Sequence, residues 1–501
     1  MNSTPSRYAQ WKAPAEDGQF LIWPSPSQIL TDAHENCRRL QSASQVKIDG
    51  VPLPELRKAA RKFIGHDDDQ PLIATGHQTE LYHPGVWVKN ALIHRIAEKL
   101  SGRADHFAVD TDGPKHLHLR WPGGSREITD DPAIAGAPWS ALLRCPTPGY
   151  LQELRADFDH EAMTWEFAPC IDPFFDSLGK AAIESTSLSQ ALTVAVHQVD
   201  RSLGLRYRAL TMSDLWLSEP YLCYVHHLLR SADDFAATYN RALAAYRASH
   251  GLKTSVRPMP DLRVSSQFFE IPFWLDDLAG QSRDRAKLEI SGGHYQLRLG
   301  NGAVFEIDGK RTGWQAAAEL ADWCRQHQVR LAPRALTMTL FFRLCLADQF
   351  VHGIGGGRYD QVTDDVIQRH FGFEPPKFAV TTATLYFPAA LGQRRINLRP
   401  MLQEGRRIRH GLLSKEKMST VRKIETLPRY SRQRQDLFFD MHRRLAAESN
   451  GPAVQEWERR FLEIQRESLR QRELFDRELF FAIQPRDRLE QMIDRCSTAF
   501  S

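Results

Sequence analysis

Two histidines, one lysine and two aspartates are the side chains of this sequence best placed to do chemistry. His77 and His83 flank a glycine-containing segment, and histidines at a helix N-terminus can hydrogen-bond phosphates as a leaving pyrophosphate gains charge. Lys89 can reach the same phosphates, because helical side chains lean toward the helix N-terminus. Asp110 and Asp112 can hold Mg²⁺, orient an amine or bond a ribose hydroxyl. These residues indicate nucleotide-dependent group transfer, and the alternative for the histidines and aspartates is helix capping.

A predicted strand, helix and second strand place these residues. Residues 71–75 form a short apolar run without alternation, as expected of a strand buried on both faces, and the strand is predicted to end at Gly76. A helix is expected to begin near Pro84, with Val88, Leu92, Ile96 and Leu100 on one apolar face at a spacing of four. A parallel strand is expected over residues 106–110. Ligands of parallel sheets bind beyond the carboxyl ends of the strands, where this loop lies. The predicted nucleotide contacts on it are Thr75, Gly76, Gln78 and Gly85.

A second glycine-rich segment precedes a predicted helix over residues 361–370, for which Asp360 is the expected N-cap. Glycine lets a backbone approach phosphate oxygens closely, and the N–H groups of a helix then bind them. Neither glycine segment is a Walker loop or GxGxxG, so packing turns are the alternative for both. The two segments are expected to face one cavity across the sheet edge. The predicted second wall consists of Arg334, Gly353, Gly355, Gly356 and Tyr359.

The composition is that of a globular protein of two or three domains, with 501 residues, 42% hydrophobic and 25% charged. No apolar run approaches the roughly 18 residues of a membrane span, and the N-terminus has no signal pattern, so a cytoplasmic protein is expected. The seven cysteines are scattered and never spaced as CxxC, so they are expected to be reduced thiols that form neither a zinc site nor a disulfide framework. The net charge of +4 does not predict nucleic-acid binding.

The remaining sequence predicts an insertion and a helical end. Residues 213–249 have helical periodicity, and short strands joined by Gly292-Gly293 and by a second Gly-rich turn predict an antiparallel meander. The last hundred residues have apolar positions at coiled-coil spacing and a turn before Pro452, so an antiparallel helical hairpin is expected. The predicted divisions are 1–120 and 329–400 as two halves of an α/β core, 121–328 as the insertion and 401–501 as the hairpin.

The segment Thr75-Gly76-His77-Gln78 resembles the TGQQ motif of the bacillithiol-synthesis cysteine-adding enzymes, the BshC family. As in that family, a Gly-containing turn and a helix lysine follow, here Gly85 and Lys89, and acids end the next strand, here Asp110 and Asp112. Later segments similar to family motifs are Pro333-Arg334 and Gly355-Gly356 with Tyr359.

The resemblance implies a Rossmann-like, nucleotidyltransferase-like core and a C-terminal coiled-coil hairpin that can dimerise. It also implies ATP or a related nucleotide, with Mg²⁺, and ligation of cysteine to the amino group of glucosaminyl malate. The chain departs from the family at Glu80, where glycine is usual, and in a shorter loop before Lys89. These departures leave the amine acceptor open.

Three functions are consistent with the sequence. The first is an ATP-using ligase that activates an amino-acid carboxylate by phosphoryl or adenylyl transfer and passes the acyl group to an amine. The second is another nucleotide- or sugar-nucleotide-dependent transferase on the same core. The third is a non-catalytic protein whose helical hairpin binds a partner, since from Met401 onward 21 Lys and Arg stand against 16 Asp and Glu, a net charge of +5.

Overall fold

The computed structural model describes residues 11–66, 69–185, 187–254, 259–307, 309–411, 414–448 and 451–501. Internal contacts divide the chain into two compact units. The larger unit is Met1–Leu385 with Arg477–Ser501, and the smaller unit is Tyr386–Asp476. Residues 477–501, which the sequence-based division gave to the C-terminal hairpin, therefore belong to the larger unit. No helix of the described residues is long and apolar enough to cross a lipid bilayer.

The protein is a mixed α/β structure. Its strands in the described residues are β1 Phe20–Trp23, β2 Lys47–Ile48, β3 Val51–Pro52, β4 Leu72–Gln78, β5 Arg103–Val109, β6 His118–Trp121, β7 Gly124–Glu127, β8 Arg208–Thr211, β9 Phe268–Asp277, β10 Ser282–Ser291, β11 His294–Arg298, β12 Val304–Ile307, β13 Val329–Pro333, β14 Gln349–His352 and β15 Phe378–Ala383. The helices in these residues are α1 Pro26–Ser42, α2 Leu53–Phe63, α3 Pro84–Lys99, α4 Pro148–Ala162, α5 Asp172–Glu184, α6 Leu188–Ser202, α7 Glu219–Arg230, α8 Ala232–Ser249, α9 Gly313–Gln326, α10 Ala335–Phe341, α11 Ile354–His370, α12 Arg399–Gly411, α13 Ser414–Thr426, α14 Arg432–Glu448, α15 Pro452–Leu474 and α16 Arg486–Thr498.

Six strands of the described chain form one sheet in the order β1-β15-β14-β4-β5-β8. Neighbours from β15 to β8 are parallel, and β1 pairs antiparallel with β15 at the edge. The chain winds outward from β4 through β5 to β8, and then returns to the other side of β4 as β14 and β15. The winding direction therefore reverses between β4 and β14, the position at which parallel sheets form ligand clefts.

Helix α3 packs on β4, β5, β14 and β15 of this sheet. Its apolar stripe of Val88, Leu92 and Ile96, predicted from a spacing of four, is at most 1% exposed. In β5, the ring of Phe107 contacts that of Phe342 with 4.7 Å between centroids. Each such buried side chain contributes about 1.5–3 kcal/mol, so the predicted strand–helix–strand unit is a firm scaffold.

The strand β4 is longer than the sequence predicts. It continues through Gly76 to Gln78, which pairs with Val109 of β5. A Cβ added at Gly76 would lie 3.3 Å from the carbonyl oxygen of Phe107, so this glycine permits close approach of the strands. The expected glycine turn after Thr75 is wrong, because ladder hydrogen bonds to β5 hold this segment extended.

Two further strands differ from their expected places. β8 lies within the stretch predicted as an insertion, yet it is the outer strand of the parallel sheet. β13, predicted to reopen the α/β core, instead pairs antiparallel with β9 in the sheet β12-β11-β10-β9-β13. A short apolar run reveals that a strand is buried but not which strand it pairs with.

The antiparallel meander itself is confirmed. Gly292 and Gly293 have φ values of 57° and 83° between β10 and β11, as a two-residue hairpin of the observed twist requires. The predicted helical region over residues 213–249 contains α7 and α8, which are separated at Ser231.

The second glycine segment is not a loop before a helix but the first turn of α11. This helix begins at Ile354 rather than Gln361, and Gly353 is its N-cap. Asp360, expected at the cap, is instead buried within the helix. The expected N-cap was wrong because the glycines themselves adopt the helical conformation.

Asp360 belongs to a buried ion cluster. Its Oδ2 accepts hydrogen bonds from Arg343 at 2.5 Å and pairs with His352 Nε2 at 2.9 Å, and Oδ1 accepts one from Thr339 at 2.9 Å. Burial acts to raise the pKa of Asp360, but the charges of Arg343 and His352 hold it well below its ordinary value. The cluster therefore ties α11 to the π-helical turn after α10 and to β14.

The smaller unit contains α12 to α15, in which α12 packs on α15 and α13 packs on α14. Trp457 stacks on Phe461 with 5.1 Å between centroids, and its Nε1 donates a hydrogen bond to the Met401 carbonyl oxygen at 2.9 Å. A Cβ added at Gly405 would overlap the Trp457 ring, so a glycine is needed where α12 crosses α15.

Replacing Arg343 with Met should destabilise the larger unit by about 3–5 kcal/mol, because it removes the buried guanidinium that pairs with the Asp360 carboxylate. The control is Arg369→Ala on α11, the helix of Asp360, which removes an exposed ion pair with Asp365 and should cost less than about 1 kcal/mol. Urea unfolding measures both changes, and equal losses would contradict the assignment.

Candidate functional site

A cavity of about 310 Å³ lies at the carboxyl end of β4. Its walls come from the end of this strand, the loop that leads to α3, the loop that follows β5, and one residue before α16. The lining residues are His77, Gln78, Glu80, Leu81, His83, Val86, Lys115, His116 and Glu478.

The loop between β4 and α3 is held on two sides. Thr79 Oγ1 lies 2.8 Å from Ser140 Oγ, and Leu81 N donates a hydrogen bond to the His116 carbonyl oxygen at 3.3 Å. Neighbouring loops, rather than glycine, therefore fix the backbone of this segment.

His83 lines the cavity and also caps α3. Its Nδ1 accepts a hydrogen bond from Gly85 N at 3.1 Å, and its carbonyl oxygen accepts one from Val86 N at 2.9 Å. These N–H groups are the ones that a phosphate at this helix end would use. His83 thus acts as the N-cap of α3, which was the alternative to a phosphate contact. A phosphate contact by His83 stays a prediction.

His77 stands at the cavity edge with a side chain 26% exposed. Its Nδ1 lies 3.3 Å from the Gln78 carbonyl oxygen and 3.3 Å from Glu80 Oε1. Burial, and then the charge of Lys89, lower the pKa of His77 well below its ordinary value. The ring is therefore neutral at pH 7. Because Nδ1 faces the Gln78 carbonyl oxygen, Nδ1 carries the proton, and Nε2 can accept a hydrogen bond from a substrate.

Glu80 is the most unusual residue of the cavity. It is 6% exposed, and its Oε2 is buried without a hydrogen-bond partner, a situation that costs about 1–3 kcal/mol or more. Burial raises the pKa of this carboxyl to about 7, against the opposing charges of Lys89 and Lys115. Glu80 therefore changes protonation state near neutral pH.

Lys89 lies beneath the cavity rather than in its wall. The side chain is buried, and Nζ donates a hydrogen bond to the Gly76 carbonyl oxygen at 2.9 Å. Burial lowers the pKa of Lys89 to about 7, while the charge of Glu80 opposes the shift. The predicted direct contact of Lys89 with a phosphate gains no support from this position. The positive charge of Lys89 instead lowers the pKa of both Glu80 and His77.

A buried polar network supports the loop from below. Tyr82 Oη lies 3.0 Å from His106 Nε2, and His106 Nδ1 lies 2.7 Å from Asn90 Oδ1. Asp200 accepts hydrogen bonds from Asn90 Nδ2 at 2.8 Å and from Trp87 Nε1 at 2.6 Å. Burial raises the pKa of Asp200 to about 6, although these hydrogen bonds favour the carboxylate. The network fixes α3 to β5 directly under the cavity.

The two predicted acids after β5 have structural partners. Asp112 Oδ2 accepts a hydrogen bond from Gln78 Nε2 at 2.6 Å, which joins the ends of β4 and β5. Asp110 is buried, and its two carboxylate oxygens accept hydrogen bonds from Met212 N at 3.1 Å and Ser213 Oγ at 2.6 Å. Asp110 therefore anchors the segment that follows β8.

The described side chains form no protein-held metal site. Among the residues that the structure describes, no group of three or more His, Cys, Asp or Glu side chains is arranged to hold an ion. Since Asp110 and Asp112 are already engaged, the predicted Mg²⁺ role of these acids gains no support from the geometry.

Two predicted nucleotide contacts are packing residues. Thr75 Oγ1 donates a hydrogen bond to the Val351 carbonyl oxygen at 2.7 Å, and so ties β4 to β14. A Cβ added at Gly85 would lie 2.8 Å from Thr382 Oγ1 and 2.9 Å from the Ala383 carbonyl oxygen. Gly85 therefore allows α3 to approach β15, as the packing alternative expects.

The first turn of α11 emerges beside the end of β4, because Val351 of β14 is paired with Thr75. No side chain caps this helix at Gly353, and a Cβ added at Gly353 or Gly355 would meet no atom within 4 Å. The expected proximity of the two glycine segments is confirmed. They do not share the described cavity, since no α11 residue lines it. Of the other second-wall residues, Gly356 packs on the His352 ring and Tyr359 is 37% exposed.

Arg334 is engaged elsewhere. Its Nη1 donates a hydrogen bond to Glu270 Oε1 at 2.8 Å, and its guanidinium lies 5.4 Å from the Trp274 ring centroid. Both partners belong to β9 of the antiparallel sheet, because β13 pairs there. Arg334 does not line the cavity, and its predicted nucleotide contact gains no support.

Four residues that line the cavity were not predicted from the sequence: Glu80, Lys115, His116 and Glu478. A signal existed for Glu80, which is a carboxylate inside the very loop predicted to bind anions. No signal existed for Glu478, because it lies almost four hundred residues further along the chain.

No protein-family model matches this chain, and no curated protein matches its sequence significantly. The function of this protein is therefore inferred from its site residues.

Replacing Glu80 with Gln should stabilise the protein at and above pH 7. Because the carboxyl pKa rises from 4.5 to about 7 on folding, the folded state retains a proton that the unfolded chain has lost, and stability falls across this interval by about 3 kcal/mol. The amide does not ionise, so the variant's gain in melting temperature should grow from pH 4.5 to 7 and then level off.

The control is Glu98→Gln, whose carboxyl pKa is lowered by the hydrogen bond from Arg95. Its pH trend should have the opposite sign and be smaller, because the side chain is 56% exposed. A Glu80→Gln curve parallel to that of the wild type would contradict the burial argument.

Proposed function

We propose that this protein is a nucleotide-dependent ligase that joins an amino acid to an amine acceptor on a Rossmann-like core. One observation carries the proposal. At the point where the winding of the parallel sheet reverses, the glycine-rich N-terminus of α11, which no side chain caps, lies beside the end of β4 that forms the cavity. A nucleotide site and an acceptor site then lie at one edge of the sheet.

The strand order supports the Rossmann-like core. Counted along the chain from β4, the parallel strands β8-β5-β4-β14-β15 have the order 3-2-1-4-5. This is the order of doubly wound nucleotide-binding sheets, whose ligands lie outside the carboxyl ends of the strands at the reversal. Fold alone does not define a reaction, so the chemistry is argued from the residues.

The start of α11 is the part best suited to phosphate. The N-terminus of a helix has free N–H groups and a partial positive charge, and both favour an anion. Gly353 and Gly355 leave the approach to this helix end open. By contrast, α3 is capped by His83, so we place the phosphates of the nucleotide at α11 rather than at α3.

The cavity at the end of β4 is assigned to the reacting groups. Because His77 Nδ1 donates to the Gln78 carbonyl oxygen, the Nε2 of the neutral ring can accept a hydrogen bond from an N–H or O–H group of the substrate, and the predicted phosphate contact of His77 gains no support from this geometry. The resemblance to the BshC family favours a cysteine-like amino acid and an amino-sugar conjugate as acceptor, and hence low-molecular-weight thiol biosynthesis in the cytoplasm.

Replacing Gly355 with Asp tests the phosphate assignment. An acidic residue in a first helical turn favours the helix but repels a phosphate, so stability should be kept while affinity for ATP falls about tenfold or more. The matched control is Gly149→Asp, since Gly149 is also the second residue of its helix, α4, with no atom within 4 Å of an added Cβ.

Thermal shifts with millimolar ATP and Mg²⁺ measure this affinity. Absence of any ATP-dependent shift in the wild type, or equal ATP affinity in the two variants, would refute the assignment. A shift seen only with a sugar nucleotide, or release of nucleoside diphosphate from one, would favour the alternative transferase.

We also propose that the smaller unit mediates a homodimer through its C-terminal helices. Helix α14 buries none of its described residues, and it exposes two adjacent aromatic side chains, Phe438 at 47% and Phe439 at 63%. Large apolar side chains exposed together on one helix are typical of an interface.

Replacing Phe439 with Glu should therefore convert a dimer into a monomer, because it places a charge in the apolar contact. The control is Phe63→Glu in α2, where the side chain is 48% exposed in the larger unit, and it should leave the dimer intact. Sedimentation velocity distinguishes the two states, and a wild type that stays monomeric at all concentrations would refute the proposal.

A further inference from the structure

We infer that Glu80 binds the amine of the acceptor and takes its proton as the new C–N bond forms. This inference rests on the proposed ligase function and adds to it a residue and a chemical class for the acceptor site. Glu80 was not among the residues that the sequence pointed to.

The geometry makes Glu80 an unsatisfied hydrogen-bond acceptor. Glu80 Oε1 lies 3.3 Å from His77 Nδ1, and Glu80 Oε2 is buried without a hydrogen-bond partner. Other buried carboxylates of the described chain are paired: Asp110 with Ser213, and Asp360 with Arg343. An ammonium or amine that enters the cavity would supply the missing donor, because amines carry several N–H groups.

The charge of the cavity also favours a basic ligand. Its ionisable lining comprises Glu80, Glu478, Lys115 and three histidines. Two carboxylates and one lysine ammonium therefore face the cavity. Two carboxylates in one wall attract a cationic amine.

The chemistry requires a proton acceptor at this point. The ammonium first loses one proton to water, and the lone pair of the neutral amine nitrogen then attacks the carbonyl carbon of an acyl phosphate or acyl adenylate, so that the C–N bond forms. The bond from that carbon to the phosphate oxygen breaks, and phosphate or nucleoside monophosphate leaves with the electron pair. One N–H proton passes from the nitrogen to the Glu80 carboxylate, whose raised pKa of about 7 suits a base that works near neutral pH.

The test separates amine transfer from amino-acid activation. Wild type, Glu80→Gln and Glu98→Gln are incubated with ATP, Mg²⁺ and cysteine, and either glucosamine or hydroxylamine is added. Hydroxylamine traps the activated acyl group without help from a base. Glu80→Gln should form the amide with glucosamine about 100-fold more slowly, yet form the hydroxamate at close to the wild-type rate. Glu98→Gln removes an exposed carboxylate of α3 that does not line the cavity, and it should retain both activities.

Binding of glucosamine alone, followed by ligand-observed NMR at pH 8, decides the amine site independently of turnover. Loss of binding in Glu80→Gln but not in Glu98→Gln supports the inference, even if the wild type forms no hydroxamate and the ligase function fails. Wild-type amide formation by Glu80→Gln, equal losses in both variants, or no binding of glucosamine by the wild type would each overturn it.

Discussion

The parallel pairing of β4 with a strand on each side is the constraint on which the site depends. All seven residues of β4 pair with β5, and three pair with β14. Because Gly76 and Gln78 are fixed in this ladder, the chain can turn only from Thr79 onward, and α3 begins at Pro84. The loop between β4 and α3 has five residues, and within it the Glu80 side chain is buried at the strand end.

The opposite edge of the sheet shows how this fold treats charges that only hold it together. Asp348, just before β14, accepts hydrogen bonds from Arg57 at 2.8 Å and Arg61 at 2.5 Å. Asp105, near the start of β5, accepts one from Arg208 at 2.8 Å. Each of these carboxylates is matched by at least one guanidinium, which offsets the cost of burial. Glu80 Oε2 has no hydrogen-bond partner, and this distinguishes Glu80 from the carboxylates that only hold the fold together.

The same physical rule explains which predicted site residues became structural. Asp110, Asp112 and Thr75 have side chains that reach a neighbouring strand or loop, and each forms its hydrogen bonds there. Gly85 lies where helix and strand backbones nearly touch. At the start of α11, by contrast, Gly355 has open space in front of it. Residues of one type therefore differ in role. Some find hydrogen-bond partners or close packing within the fold, whereas others face open space where a ligand can bind.

The sequence by itself determined the elements. Apolar runs located β4 and β5, a spacing of four gave the buried face of α3, and paired glycines gave the hairpin between β10 and β11, because these features depend on local periodicity and backbone freedom. Only the tertiary structure decided which strands pair, that β13 leaves the parallel sheet, and that Glu478 meets Glu80 across one cavity. Strand partners and buried charge depend on contacts between residues far apart in the chain, and no local pattern encodes them.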